Sequence, residues 1–176
     1  MAQDQLFQIG KHKAPLPGGL LYAATNHVWA TRADGSGTGM GPGVWRFGFT
    51  SYAIALMKDV YFLDWSYAPG IAVIHLALIG HIETSKAESD LYAPATGMLV
   101  RVNDALLEDP SAINTDGYGA GWLYEIDCPA APNHLIDAEA YLAHLRDNWE
   151  NTERILKGSI NRTEDESPES MGETEA

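Results

Sequence analysis

Lys86 lies at the centre of the run Gly80-His81-Ile82-Glu83-Thr84-Ser85-Lys86-Ala87-Glu88-Ser89-Asp90-Leu91-Tyr92-Ala93-Pro94. A β-rich apolar segment enters this run and another leaves it, while the middle is small and polar. That pattern describes a hairpin with the lysine at its exposed tip. A buried lysine shifts its pKa and serves as a base or a Schiff-base former. A lysine on a tight hairpin is instead offered to a modifying enzyme, and acylation would remove its charge. Most exposed lysines are plain solvated charges, and Ser85-Lys86-Ala87 alone does not separate the two readings.

Other residues with chemistry to offer point to less. The six histidines show no ligand spacing, so no metal site is expected among His27, His75 and His81. Cys128 stands alone, which excludes an internal disulfide and any cysteine-cluster metal site. It reads as a buried spectator, with a resolving thiol as the sharper alternative. Glycines alternate at Gly35, Gly37, Gly39, Gly41 and Gly43. This stretch lacks a Gly-Lys-Ser/Thr ending and is followed by strand pattern, so it reads as a flexible hairpin loop and not a phosphate loop.

Several separate motifs share the register of Lys86. Glu83-Thr84-Ser85-Lys86-Ala87 runs into Ser89-Asp90-Leu91-Tyr92-Ala93-Pro94. Gly48-Phe49-Thr50-Ser51-Tyr52-Ala53, Pro69-Gly70 and Gly80 precede it. Val102-Asn103, Asp109-Pro110, Ile113-Asn114 and Tyr118-Gly119-Ala120-Gly121-Trp122-Leu123 follow in order. Together, over about Tyr22 to Asp127, they resemble the H-protein family of the glycine cleavage system, whose members are lipoyl carriers. The resemblance implies a mainly β fold, the hybrid-type lipoyl domain: a flattened barrel of two antiparallel sheets, the lysine on a hairpin tip, and a C-terminal helix. It implies lipoate in amide linkage on Lys86, with Glu83, Ser85, Ala87 and Asp90 as the hairpin context of attachment. Glu83 and Asp90 are expected to serve recognition by the ligase. The chain is then a carrier that partner enzymes act on, not an enzyme. The chemistry belongs to the dithiolane, and the tether raises its effective concentration at each partner.

The sequence departs from the family at His27-Val28-Trp29. The family has His-Glu-Trp there, and its Glu helps hold the amine of an aminomethyl-loaded arm. Val28 cannot accept a hydrogen bond, and burying an ammonium without a carboxylate is costly. The expected function is therefore a repurposed carrier that shuttles a sulfur intermediate in a heterodisulfide reductase-like sulfur-oxidation pathway. Its expected partners are a lipoate ligase or lipoyl transferase and the heterodisulfide reductase-like enzyme complex, with lipoamide dehydrogenase as a further candidate. Two alternatives stand beside it: a glycine cleavage H protein carrying an aminomethyl group, and a non-lipoylated structural or regulatory domain.

The elements that must position Lys86 read as short strands. Leu20–Ala23, His27–Thr31, Val44–Phe49, Val60–Trp65, Ile71–Ile74, Ala77–Glu83, Asp90–Ala93, Gly97–Val102 and Trp122–Asp127 are bounded by Gly, Pro, Asn or Asp. Trp45, Phe47, Tyr61, Phe62, Trp65 and Tyr67 are expected mostly in the core, some lining a groove for the arm. Ser51 to Lys58 reads as a short helix with Thr50 as N-cap, and Asp137 to Lys157 as a longer one stopped by Gly158. Its apolar stripe is Leu142, Leu145, Trp149 and Leu156. The expected organisation is a loosely held N-terminal arm over residues 1–19, a lipoyl-binding domain over 20–158 and a disordered acidic tail over 159–176.

Composition bounds the rest. A chain of 176 residues with 45% apolar content suffices for one domain with a core. Its 24 acidic and 11 basic residues give a net charge of −13, which argues against nucleic acid and anionic lipid as partners. No stretch is apolar enough to span a bilayer, and a cytoplasmic location is expected.

Overall fold

The computed structural model describes residues 2–165, with side chains to 157. Eleven strands and four helices follow in the order β1(Gln5–Ile9), β2(His12–Leu16), β3(Leu21–Ala23), β4(Val28–Arg32), β5(Gly43–Phe49), α1(Ser51–Met57), β6(Val60–Trp65), β7(Ile71–Val73), β8(Leu78–Thr84), β9(Glu88–Tyr92), β10(Gly97–Val102), α2(Ala105–Glu108), α3(Ser111–Thr115), β11(Tyr124–Cys128) and α4(Ala138–Asp165). A six-stranded sheet runs β3-β4-β5-β11-β10-β7, and a three-stranded sheet runs β6-β8-β9. All pairings are antiparallel. This is the mainly β, two-sheet fold expected, with its C-terminal helix.

Period-two alternation builds the core between the sheets. Trp45, Phe47, Tyr124 and Ile126 of the large sheet pack with Leu63, Ile79, Ile82 and Leu91 of the small one. The opposite face of the large sheet carries Tyr22 and Trp29, which pack against α1 and α4 through Tyr52, Tyr141, Leu142, Leu145 and Trp149. Gly48 lies opposite Trp29 in the ladder, and a Cβ there would come within 2.6 Å of the indole. Of the expected aromatic core, Trp45 and Phe47 are buried, whereas Tyr61, Phe62 and Tyr67 are exposed. Both helix caps form as read: Thr50 accepts from Ala53 N at 3.1 Å and Asp137 from Ala140 N at 2.8 Å.

The termini differ from expectation. Residues 5–16 are not a loosely held arm but a second hairpin, β1–β2, closed at Gly10 with φ +57°. Its Phe7, Ala14 and Leu16 are buried in the cluster with α1 and α4. Hydrogen bonds clamp its exit: Ser51 Oγ and the Tyr118 hydroxyl both donate to Pro15 O, at 2.8 and 2.7 Å. The long helix does not stop at Gly158 but continues to Asp165. A helical glycine costs about 1 kcal/mol relative to alanine, too little to end a helix already nucleated and anchored. Residues 166–176, the rest of the expected tail, lie outside the described residues. Among those described, no helix is long and apolar enough to cross a membrane.

Candidate functional site

The β8–β9 hairpin carries Lys86 at its turn. Ser85, Lys86 and Ala87 are exposed. The backbone beneath them is fixed by one buried side chain. Thr84 Oγ1 accepts from Ala87 N at 3.1 Å and from Lys86 N at 3.3 Å, and Thr84 N donates to Ala87 O at 2.9 Å. Ser85 N donates to Asp59 O at 3.1 Å, tying the tip to the α1–β6 connection. The turn is therefore held rigidly while the lysine side chain projects outward. The role of Thr84 emerges only in the fold. A hydroxyl two residues before the displayed lysine is the signal of a side-chain-closed turn.

Thr84→Val is expected to slow modification of Lys86 several-fold. Overall stability should fall by about 1–2 kcal/mol, since the buried hydroxyl accepts from two backbone N–H groups of the turn. Amide hydrogen exchange at Lys86 and Ala87, alongside the initial rate of lipoylation, checks this.

The outer face of the hairpin is acidic. His81 pairs across the ladder with Asp90, and Glu83 with Glu88. His81 Nδ1 lies 3.4 Å from Asp90 Oδ1. Glu83 and Asp90 thus share one face beside the lysine, and His81 and Glu88 join them. The three histidines weighed for a metal are not brought together. His27 packs on Tyr141 and His144, His75 on His134, and His81 against Asp90. Cys128 is 1% exposed and pairs with Gly43 at the end of β11. Burial pushes its thiol up to about 11, which makes it a spectator. The glycine-rich loop joins β4 to β5 and wraps Arg32, whose Nη1 donates to Gly41 O at 3.2 Å and Pro42 O at 2.9 Å.

A cleft of about 460 Å³ opens beside the hairpin. Val28, Phe49, Leu91 and Tyr124 line it with apolar surface, and Asn26 and Asp90 add polar groups. Val28 thus lines the cleft, with its side chain almost wholly buried. None of the aromatic residues expected to line a groove for the arm lines this cleft, because it needs β4, β5, β9, β11 and the turn before β4 to converge.

Next to Val28, His27 sits in the left-handed region at φ +53°. Its Nδ1 lies 2.8 Å from the Tyr141 hydroxyl. Burial, reinforced by His144, lowers its pKa to about 4. The unfolded chain therefore takes up a proton near pH 6.5 that the folded chain refuses until about pH 4. Stability falls as the pH drops through that window and is fully restored above it. Between pH 7 and pH 5 the loss is about 2 kcal/mol. Urea midpoints at the two pH values check it, and His27→Gln should flatten most of the difference.

A two-sheet β domain that fixes one lysine on an exposed turn, beside a cleft, presents a group to other proteins; this is the architecture of a carrier. The glycine cleavage H-protein family matches residues 21–148, and the chain belongs to that family. It is 39% identical to the glycine cleavage system H protein of Myxococcus xanthus over 136 residues, covering 76% of this chain and 97% of the relative. It is 36% identical to that of Micrococcus luteus, covering 73% and 96%. The crystal structure of the H protein from Mycobacterium marinum superposes with a TM-score of 0.62 at 38% identity, covering 73% and 97%. H proteins are lipoyl carriers, not catalysts, and bear lipoate covalently on a lysine.

Proposed function

We propose that this chain carries lipoate on Lys86 and ferries an aminomethyl group between the enzymes of glycine cleavage. Support for the cargo comes from relatives that bear the glycine cleavage name and align over nearly their whole length. Support for the lysine is its place on a rigid, exposed turn. When attached, lipoate supplies a disulfide that opens to two thiols and takes up or releases a group. The residues of the chain do the rest. Thr84 holds the turn so that Lys86 meets a ligase or lipoyl transferase in one orientation. Glu83, Ser85, Ala87 and Asp90 give that enzyme its contact surface. The β9 strand leads from the lysine to the cleft, whose walls are largely apolar.

A second reading keeps one observation in its favour. Val28, and not an acid, lines the cleft, which suits a sulfur intermediate handed to a heterodisulfide reductase-like complex. Intact-mass spectrometry separates the two. The chain is lipoylated, mapped, reduced and exposed to glycine decarboxylase with glycine and pyridoxal phosphate. A lipoyl shift on Lys86 followed by an aminomethyl adduct supports the proposal. A lipoyl shift with no adduct, beside a control H protein that loads, favours the sulfur reading. No lipoyl shift with a competent ligase overturns both.

A further inference from the structure

The outer face of the β8–β9 hairpin brings together the ligand types of a metal centre. A ring nitrogen of His81 and one carboxylate oxygen each of Glu83 and Glu88 lie within 4.8 Å of one another. A tetrahedral zinc site holds its ligand atoms about 3.4 Å apart. Small rotations close the set around an ion, since His81 and Glu83 are half-buried and Glu88 is exposed. Histidine spacing along the chain hides this group, because the partners of His81 are carboxylates, one of them reached across the ladder, and not other histidines.

Two further observations favour a cation here. Glu83 and Glu88 stand directly opposite each other in the ladder, and like charges so placed repel. Among the described residues no lysine or arginine pairs with either. The next row adds Asp64 and Asp90 on the two sides of His81. A divalent cation offsets this concentrated negative charge. The second observation is the hold on His81. Its Nδ1 lies 3.4 Å from Asp90 Oδ1, and Asp90 Oδ2 accepts from the Tyr92 hydroxyl at 3.4 Å. A carboxylate on one ring nitrogen orients the imidazole and leaves the other nitrogen for an ion, the outer support that ligating histidines have.

We infer that His81, Glu83 and Glu88 bind one divalent transition-metal ion of the zinc class, with Asp90 orienting His81. Imidazole with carboxylate suits zinc, and three protein ligands leave a fourth position for water. Calcium and magnesium take larger, all-oxygen shells, which this set does not offer. Joining Glu83 of β8 to Glu88 of β9, the ion staples the hairpin at the pair next to the Lys86 turn. Binding does not depend on what Lys86 carries, so it stands apart from the proposed function.

The test titrates zinc into the full chain, stripped with a chelator and dialysed free of it, by isothermal calorimetry. The tightest step should take one ion per chain. His81→Ala and Glu88→Gln should each weaken that step by about tenfold or more. His75→Ala, at the separate pair with His134, should leave it unchanged. Glu88→Gln also separates ligation from structure. Without zinc it removes the repulsion across from Glu83, so its urea midpoint should rise while its zinc affinity falls. Amide exchange at Lys86 and Ala87 should slow when zinc binds, and calcium in about tenfold excess should not displace it. An affinity unchanged in His81→Ala or in Glu88→Gln, an affinity lost in His75→Ala, or displacement of zinc by calcium overturns the inference.

Discussion

Replacing Lys86 by arginine should leave a folded chain that accepts no lipoate. The side chain is exposed, and the hydrogen bond that fixes residue 86 is made by its backbone N–H to Thr84. Arginine keeps the charge and that backbone bond, so the urea midpoint should move by no more than about 0.5 kcal/mol. Acylation needs a neutral amine, and the guanidinium does not give up its proton. Lipoylation, read as an intact-mass shift, should fall from complete to undetectable, and transfer of any cargo with it. The informative control is position. Lys58 follows α1, next to the Asp59 carbonyl that receives Ser85 N. If the variant became lipoylated on Lys58, the assignment of the site would be wrong.

Much of this site could be read from the chain because it is local. Alternation over Ala77–Glu83 and Asp90–Ala93, broken by small polar residues, specifies a hairpin without help from elsewhere. The same holds for β3 to β7, β10 and β11, whose observed bounds lie within a few residues of the sequence reading. The cleft is different, since Asn26, Phe49, Asp90 and Tyr124 meet only through pairing within the large sheet and its packing on the small one. Val28 could be singled out by its neighbours His27 and Trp29. At the C-terminus, Gly158 was weighted as a stop, and a single glycine does not outweigh a helix anchored by Tyr141, Leu145 and Trp149.

The N-terminal hairpin is hidden in the sequence for a subtler reason, and it carries the second large effect. Phe7 and Ile9 flank Gln8, and Ala14 and Leu16 flank Pro15, but exposed Leu6 breaks the alternation, so the strand signal is short and blurred. Pro15 and the surrounding charge disguised it, although proline is tolerated where no ladder N–H is required. A two-stranded ribbon is marginal by itself, and it persists here by packing. Phe7 supplies that packing: it is 1% exposed, edge-on to Tyr52 at 5.1 Å and tilted against Trp149 at 5.4 Å. Phe7→Ala should therefore cost about 3–5 kcal/mol. That is more than the ribbon can supply without its anchor, so the hairpin should detach and Trp149 should become solvated. A lower urea midpoint with a red-shifted tryptophan emission is the expected signature. Lipoylation of Lys86 should persist below the transition, because β8 and β9 pack in the separate cluster between the sheets. A hairpin lying passively on the surface would instead leave both midpoint and emission unchanged. The hairpin precedes residues 21–148, the part that the family model matches, and Trp149 follows directly after it. Phe7 thus tests whether the segments flanking that part stabilise each other and, through Tyr52 and Tyr141, the helices behind the carrier domain.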